Sequence, residues 1–574
     1  MIPPPLSKHV PFIILLLALL IFGLSTFRDF GLSWDEPLFY DYGEALGYAY
    51  TPANWFSPDF DLSKSYGSSG DDHKTRGPAY LLLARTPVHL LESLGVDEAS
   101  AWHLVNFLTF LLGVWFIYRL SLRWMGEWAA FGAAALFSTQ PLLLGHAFIN
   151  PKDMPFLVFF TGALLFGFEM VDALNDKTKN VKCKIWKVVV AAFFLGIATS
   201  IRVLAPLAGI LVVIYAIIRQ LSAINHKPSS INHPPLTIFI LVYALLSLLF
   251  ILASWPYLWE SPFNNFFQVF LFMSDNPTGL QVLFGGGIYR AYELPRRYLP
   301  TLLGITLTEP VWPLFIIGFG VSIWKLVVSI LRRSSSLKGI SRPAAYSTTA
   351  NINLDPFSTD HGLLLTAFLI PFLYVILRKP PMYDGFRHFL FILPPIFVTC
   401  GLGLEAILRW IGTERGLQSA QADWKSAILP SGRLQLWLRA VSIIVLILPG
   451  IISAAQLHPY EYTYYNSLVG GTGGAFRVYE TDYWLTCYKE AVEQIHPERR
   501  MNLFVRREPY IAARYASADV VVRDYRAEFS QIASGDLVLV NTRTNEDRKT
   551  VHDAPTVIEV GRGGATFCVV KQVP

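Results

Sequence analysis

The chain has 574 residues, 53% hydrophobic and 16% charged, with a mean hydropathy of +0.41. Soluble proteins carry about 25% charged residues, so a soluble globular chain is excluded. The formal charge of +5 is spread over short loops, which excludes a nucleic-acid partner, and four cysteines without CxxC or zinc-finger spacing exclude a disulfide-dense scaffold and structural zinc.

Membrane spans are therefore the unit of counting. The first apolar run, Val10 to Phe27, follows Lys8 and lacks a small-residue cleavage site before Arg28 to Glu36, so it reads as a retained span. Further runs lie at Ala101 to Leu120, Trp128 to Ala147, Pro155 to Val171, Leu236 to Trp255, Leu302 to Val328, Gly362 to Leu377, Phe389 to Leu408 and Leu436 to Ala455. The run Val188 to Ile218 would make one helix about 46 Å long against a hydrocarbon core of about 30 Å, so it is expected to cross twice. Two crossings also put Arg219, Lys227, Lys325, Arg332, Arg333, Lys338, Arg342, Arg409, Arg415, Lys425, Arg433 and Arg439 on the same cytoplasmic side as Lys177 to Lys187. The expectation is 11 spans in a multi-pass protein of the plasma (cytoplasmic) membrane, N-terminus cytoplasmic, C-terminus and active site extracytoplasmic.

Two domains follow: a membrane domain at 1–455 and an extracytoplasmic tail at 456–574. The long first outer loop, 28–100, contains an interfacial helix at 77–94, with Arg85, His89 and Glu92 on one face. The tail reads as a small α/β domain, helical around Tyr488 to Ile495. Its strands fall at Met501 to Val505, Asp519 to Arg523, Asp536 to Val540 and Thr556 to Val570, the last turned by Gly561 to Gly564. Cys487 and Cys568 both fall there, compatible equally with a disulfide and with two buried thiols. The stretches Ser334 to Ser358 and Asn225 to His233 read as linkers.

Three outer clusters can carry chemistry. In Ser33-Trp34-Asp35-Glu36-Pro37, Asp35 is placed to act as a base toward a hydroxyl, although Ser33 and Glu36 also form a capping box. In His146-Ala-Phe-Ile-Asn150-Pro-Lys152-Asp153-Met-Pro155, a charged turn joins two spans, and Asp153 fits either a site carboxylate or a helix cap. Arg387 and His388, Arg296 and Arg297, and Arg202 inside the doubled run form a basic set. Arginine at membrane depth costs about 2.5 to 3.5 kcal/mol, so it faces a cavity or an anion such as a lipid phosphate. For Arg296 and Arg297 the competing reading is snorkelling to headgroups. His103 and Asn106 turn into the bundle as packing groups. Asp59-Phe-Asp61 is a solvated loop, Gly285 to Gly287 and Gly470 to Gly474 are turns without a phosphate-loop lysine, and Asp71, Asp72 and His73 lack metal-site spacing.

In order along the chain, Trp34-Asp35-Glu36, Trp102-His103-Leu-Val-Asn106, His146 to Pro155, Asp384-Gly-Phe-Arg387-His388, His458-Pro-Tyr-Glu-Tyr and Glu480-Thr-Asp482-Tyr-Trp resemble the GT-C fold glycosyltransferases that use polyprenyl phosphates. The likeness is to prokaryotic members of glycosyltransferase family 39, relatives of protein O-mannosyltransferases and aminoarabinose transferases. The resemblance implies an α-helical polytopic membrane protein and transfer of a monosaccharide from a polyprenyl-phosphate donor to a protein, lipid or glycan hydroxyl. It implies Asp35 as catalytic base with Glu36 beside it, Asp153 as the second acidic residue, and Arg387 as the phosphate ligand, with Arg202, Arg296 or Lys152 assisting. The segment from Asp72 to Tyr80 departs from the family's His-Pro-Pro-Leu pattern. A divalent ion among Asp35, Glu36 and Asp153 stays open, metal-free catalysis being preferred because no His/carboxylate set at helical spacing occurs. The rival readings are a transporter or lipid-linked-sugar flippase, against which the missing inverted repeat counts, and a receptor whose tail binds glycan or peptide.

Overall fold

The computed structural model describes residues 6–176, 178–224, 236–275, 278–337, 357–420 and 432–574. Most of both expected linkers, with Lys177, Lys227, Lys338, Arg342 and Lys425, lie outside the described residues.

Helix dominates residues 10–457, because long apolar runs in a bilayer must satisfy their backbone internally. Eight described helices are long and apolar enough to cross a membrane: Glu98–Ser121, Asp153–Asn175, Val181–Ile201, Leu236–Ser254, Val311–Val328, Asp360–Arg378, Arg387–Trp410 and Leu436–Leu457. A ninth candidate is the pair Glu127–Ser138 and Pro141–Ile149, bent by 64°. Pro141 causes the break, since it brings no N–H to the helical ladder and disfavours helical geometry at Gln140. Gln140 instead donates to Leu136 O at 2.8 Å and to Thr308 Oγ1 at 2.9 Å, and accepts from Thr308 N at 2.9 Å. Val10–Thr26 and Pro206–Gln220 are apolar but shorter. Every run read from the sequence thus contains a helix. The doubled run divides after Ile201, where Arg202 is extended, and Pro206 opens the next helix.

The first long loop carries the helices Glu36–Ala45 and Ala79–Ser93, and Arg85 and His89 of the second both reach Glu44 of the first, at 3.2 and 2.6 Å. Between residues 256 and 300 the chain adds a helix, Pro262–Asp275, and a hairpin, β1 (Gln281–Phe284) and β2 (Gly287–Arg290). Gly285 and Gly286 make its two-residue turn with φ of 60° and 79°, a geometry that favours glycine. The tail forms a five-stranded sheet from β3 (Met501–Val505), β4 (Val520–Asp524), β5 (Leu537–Asn541), β6 (Thr556–Arg562) and β7 (Ala565–Gln572), in the order β4-β3-β5-β7-β6. β3 pairs parallel with β4 and β5, and β7 pairs antiparallel with β5 and β6. Cys487, just before the short helix Tyr488–Glu493, is disulfide-bonded to Cys568 of β7, with Cα atoms 6.1 Å apart.

The tail is clamped to the loop that leaves the first helix. Lys489 Nζ donates to the carbonyls of Arg28, Asp29 and Phe30 at 2.6, 3.2 and 3.4 Å, satisfying acceptors beyond a helix C-terminus. Leu32 N donates to Tyr515 Oη at 2.9 Å, Tyr510 Oη donates to Trp34 O at 2.6 Å, and Trp34 N donates to Trp484 O at 3.2 Å. A Cβ at Gly31 would stand 2.2 Å from Thr486 O, so only glycine allows this approach.

Candidate active site

The two carboxylates at the start of the Glu36–Ala45 helix part company. Glu36 is fully buried; its Oε2 accepts from Ser33 N at 2.6 Å, and its Oε1 accepts from Tyr40 Oη at 2.5 Å and lies 3.0 Å from His103 Nε2. That is the reach-back half of a capping box; the Ser33 hydroxyl instead donates to Ile149 O at 3.2 Å. Asp35, with its side chain 20% exposed, points the other way and accepts from Arg387 Nη1 at 2.5 Å. Asn106 is a buried tie, accepting from Tyr80 Oη at 2.7 Å and donating to Phe148 O at 2.8 Å.

The turn at 150–153 is organised by Asn150. Its Oδ1 accepts from Lys152 N at 3.2 Å and Asp153 N at 2.7 Å, taking the capping role open to Asp153, and its Nδ2 lies 3.0 Å from His146 Nδ1 and 3.3 Å from Asp153 Oδ2. His146 Nε2 lies 3.0 Å from Tyr483 Oη. The Asp153 carboxylate, freed from capping, pairs with Arg202 and stands 3.7 Å from Arg387 Nη1. Lys152, in contrast, is a buried ammonium over the Phe39 ring at 5.3 Å, with no carboxylate within ion-pair distance among the described residues. Burial, with Arg76 and Arg202 nearby, pushes its pKa well below that of a free lysine.

Arg387 is the hub. Besides Asp35 and Asp153 it meets Asp384 Oδ2 at 3.0 Å, and its guanidinium lies 5.1 Å from the Trp484 ring and 5.3 Å from that of Tyr383. Asp384 is fully buried and also accepts from Trp484 Nε1 at 3.2 Å. Burial raises its pKa, and Arg543 and Arg387 offset that only in part. Nε of Arg76, of Arg202 and of Arg387 is buried without a hydrogen-bond partner among the described residues.

Two cavities flank this cluster. The larger encloses about 1080 Å³ between its walls, its open mouth included, and its polar lining includes Arg76 with its partner Asp72, Lys152, Arg202 and His388. Its remaining walls include Val203, Leu204, Phe270, Phe272 and Met273, the last three from the Pro262–Asp275 helix, whose exposed Phe263 and Phe267 continue the apolar surface. The smaller, about 330 Å³, is lined by Arg387, His146, Tyr462, Tyr465, Glu480 and Tyr483. Burial pushes the Glu480 carboxyl up to about 7 against the pull of Arg543.

Asp35, Asp153, Lys152, Arg202, Arg387 and His388 therefore converge, with His146 and Asn150 behind them. Glu36 and His103 pair with each other, and Arg296 and Arg297 are exposed away from the cluster, Arg297 lying over the Phe284 ring at 5.9 Å. No three His, Cys, Asp or Glu side chains are grouped to hold a metal ion among the described residues, and Asp35 and Asp153 meet guanidinium groups instead. Sequence reasoning missed Arg76, which pairs with Asp72 at 2.6 Å, together with Asp384 and Arg543. Asp384 had a signal, three residues before Arg387 in the same short segment; Arg76 and Arg543 had none.

Residues 86–257 match the family model described as dolichyl-phosphate-mannose-protein mannosyltransferase. No curated protein matches the sequence. Among solved structures the chain is similar to ArnT from Cupriavidus metallidurans in the apo state, with 14% identity, 98% of each chain covered and a TM-score of 0.46. It is also similar to ArnT bound to undecaprenyl phosphate, with 12% identity over 99% of this chain and 98% of that one, TM-score 0.46. A third is the archaeal oligosaccharyltransferase AglB from Archaeoglobus fulgidus with an inhibitory peptide and a dolichol-phosphate, at 12% identity over 95% of this chain and 70% of that one, TM-score 0.49.

Proposed function

We propose that this membrane protein, a glycosyltransferase by its family match over residues 86–257, moves a monosaccharide from a polyprenyl-phosphate donor to a hydroxyl acceptor outside the cytoplasm, with inversion. The observation that carries the reading is the amphiphilic cavity, which sets Arg76, Lys152 and Arg202 in one lining with apolar side chains such as Val203, Leu204, Phe270 and Phe272 and so suits a lipid phosphate. The donor phosphate sits against Lys152, Arg202 and Arg76, restoring to Lys152 the anion it lacks, and the prenyl chain leaves past Phe270, Phe272 and Met273.

Asp35 accepts the proton of the acceptor hydroxyl, whose oxygen bonds to the anomeric carbon as the bond from that carbon to the phosphate oxygen breaks. The polyprenyl phosphate leaves with the electron pair of that bond, and Arg387 and Arg202 meet the charge that develops on it. In the resting state Arg387 holds Asp35, so an arriving phosphate competes for the guanidinium and frees the base. Asp153 bridges the two arginines and keeps them side by side.

The contacts also support a total of 11 crossings, and the basic loops favour a cytoplasmic N-terminus. Asp35, Asp153, Arg202 and Arg387 can meet only if an even number of crossings separates each pair, which requires the run from Val181 to Ile224 to cross twice. The tail, in contact with this cluster, then forms an extracytoplasmic domain at 456–574.

The test is discharge of radiolabelled polyprenyl-phosphate sugars by the purified protein in lipid, with nucleotide sugars as controls. Discharge by wild type, lost in Asp35→Asn and Arg387→Ala, is expected. An inert wild type, or variants equal to it, would overturn the reading and point to transport.

A further inference from the structure

Arg543 lies in the tail at the end of β5, far in sequence from every residue of the site, yet is only 1% exposed. Its position is set by its own loop. Arg543 N donates to Asn541 Oδ1 at 2.6 Å, Asn541 Nδ2 donates to Asp482 O at 3.0 Å, and the Thr542 hydroxyl donates to Thr566 O at 2.7 Å, fastening the loop to β7. The side chain then runs out of the sheet into the membrane domain. Nε donates to Glu480 Oε1 at 2.8 Å, Nη1 donates to Tyr483 O at 3.3 Å, and the guanidinium covers the Trp34 ring at 4.7 Å. Nη2 stands 2.7 Å from Asp384 Oδ1, close enough for an ion pair but without hydrogen-bond alignment.

An alternating line of charge results: Asp35, Arg387, Asp384, Arg543, Glu480. A carboxylate as deeply buried as Asp384 needs compensation. With one guanidinium on each oxygen it makes only a partial demand on Arg387, which stays available to Asp35 and to an anion. Without Arg543, Asp384 has Arg387 as its only ion-pair partner and draws it away from Asp35. Trp34 loses its cover at the same time, and it is the residue immediately before Asp35.

We propose that Arg543 is a positioning residue of the transfer reaction: a tail arginine that, through Asp384 and Trp34, sets Arg387 and Asp35 in working register. The inference rests on the transferase reading above. Arg543 touches neither donor nor acceptor, so its loss acts on the transition state more than on donor binding, which Lys152, Arg202 and Arg76 retain.

The experiment compares Arg543→Gln, Arg543→Lys, Asp384→Asn and the double variant Arg543→Gln/Asp384→Asn with wild type as full-length protein in lipid. Discharge of a polyprenyl-phosphate sugar and affinity for sugar-free polyprenyl phosphate are both measured. Arg543→Gln is expected to lower kcat about 10- to 100-fold, the range for groups that orient a primary ligand, with KM and phosphate affinity nearly unchanged. Arg543→Lys, which returns a cation to Asp384, is expected to recover part of that loss, and the double variant to fall no further than the worse single one. If Arg543→Gln keeps wild-type kcat, if lysine rescues nothing, or if the two losses multiply, the positioning role is overturned while the transferase reading stands. A wild type that neither discharges the sugar nor binds the phosphate overturns both.

Discussion

The helix Asp153–Asn175 carries an ionic cluster at each end, and the two are built to different rules. At one end Arg119 and Lys187 share Glu169, both at 2.5 Å, while Arg123 meets Asp172 and Asp360, each at 2.9 Å, and Asp172 also takes Tyr215 Oη and Arg219. Each of those four cations has its carboxylate. At the other end, about 28 Å away along the helix axis, Asp153 serves two arginines and Lys152 has no carboxylate partner among the described residues, next to an open cavity. Both clusters gather charge where spans end, so clustered charge alone does not mark a candidate site. What sets the second cluster apart is Lys152, which has no carboxylate partner among the described residues and faces space that an anion can enter.

The contrast is sharpest for the residues at the hub. Asp35→Asn should lower discharge of a lipid-linked sugar by about 10²- to 10⁴-fold, the usual size of a general-base contribution. Arg387→Ala should cost about 10²- to 10³-fold in initial rate, and near-wild-type turnover in either would make the two ends equivalent. Next, Arg123→Ala at the paired end strands Asp360 and should destabilise by about 3–5 kcal/mol. Thermal unfolding in lipid would read this, and discharge per folded molecule should stay at the wild-type value. Lys152→Met should do the reverse, raising donor KM by about 10- to 100-fold for the lost charge-assisted contact. It should leave the unfolding temperature no lower than wild type, since an uncompensated buried ammonium is removed; a drop of several degrees would show a hidden partner.

The smallest effect concerns His458, which lies 2.7 Å from Glu461 Oε1 and 2.9 Å from Asp29 Oδ2. Burial lowers its pKa, but Glu461 and Asp29 outweigh burial and raise it above the ordinary 6.5. A raised histidine contributes stability that is fully present below pH 6.5 and is lost as pH rises through the folded value. Unfolding temperature should therefore fall slightly on raising the pH through that range, by an amount worth about 1 kcal/mol or less, and His458→Gln should flatten the profile.

Local signals made much of this legible. Apolar runs located the helices, the 31-residue stretch from Val188 to Ile218 was too long for one span, and β3 was read to the residue. Asp35, Asp153, Lys152, Arg202 and Arg387 stand out in the sequence because charge beside an apolar run is conspicuous, and the structure brings them together. The hairpin at 281–290 was hidden because two four-residue strands carry little periodicity, and its Gly286 N binds Val478 O from the tail. Glu36 looked like a twin of Asp35 and is a staple for Ser33, Tyr40 and His103, a distinction made by side-chain direction. Arg543 sits in Asn-Thr-Arg-Thr after a buried strand, where nothing local tells a solvated arginine from one driven into the membrane domain.

The clamp on the Arg28 to Asp35 loop also has a consequence in time. Lys489, Tyr510, Tyr515 and Arg543 hold a segment made about 500 residues before the last of them, an interval of about 25 to 100 s at ordinary rates of synthesis. A nascent chain thus carries its acidic loop at the membrane long before the tail locks that loop, and the order of manufacture itself delays the finished arrangement around Asp35.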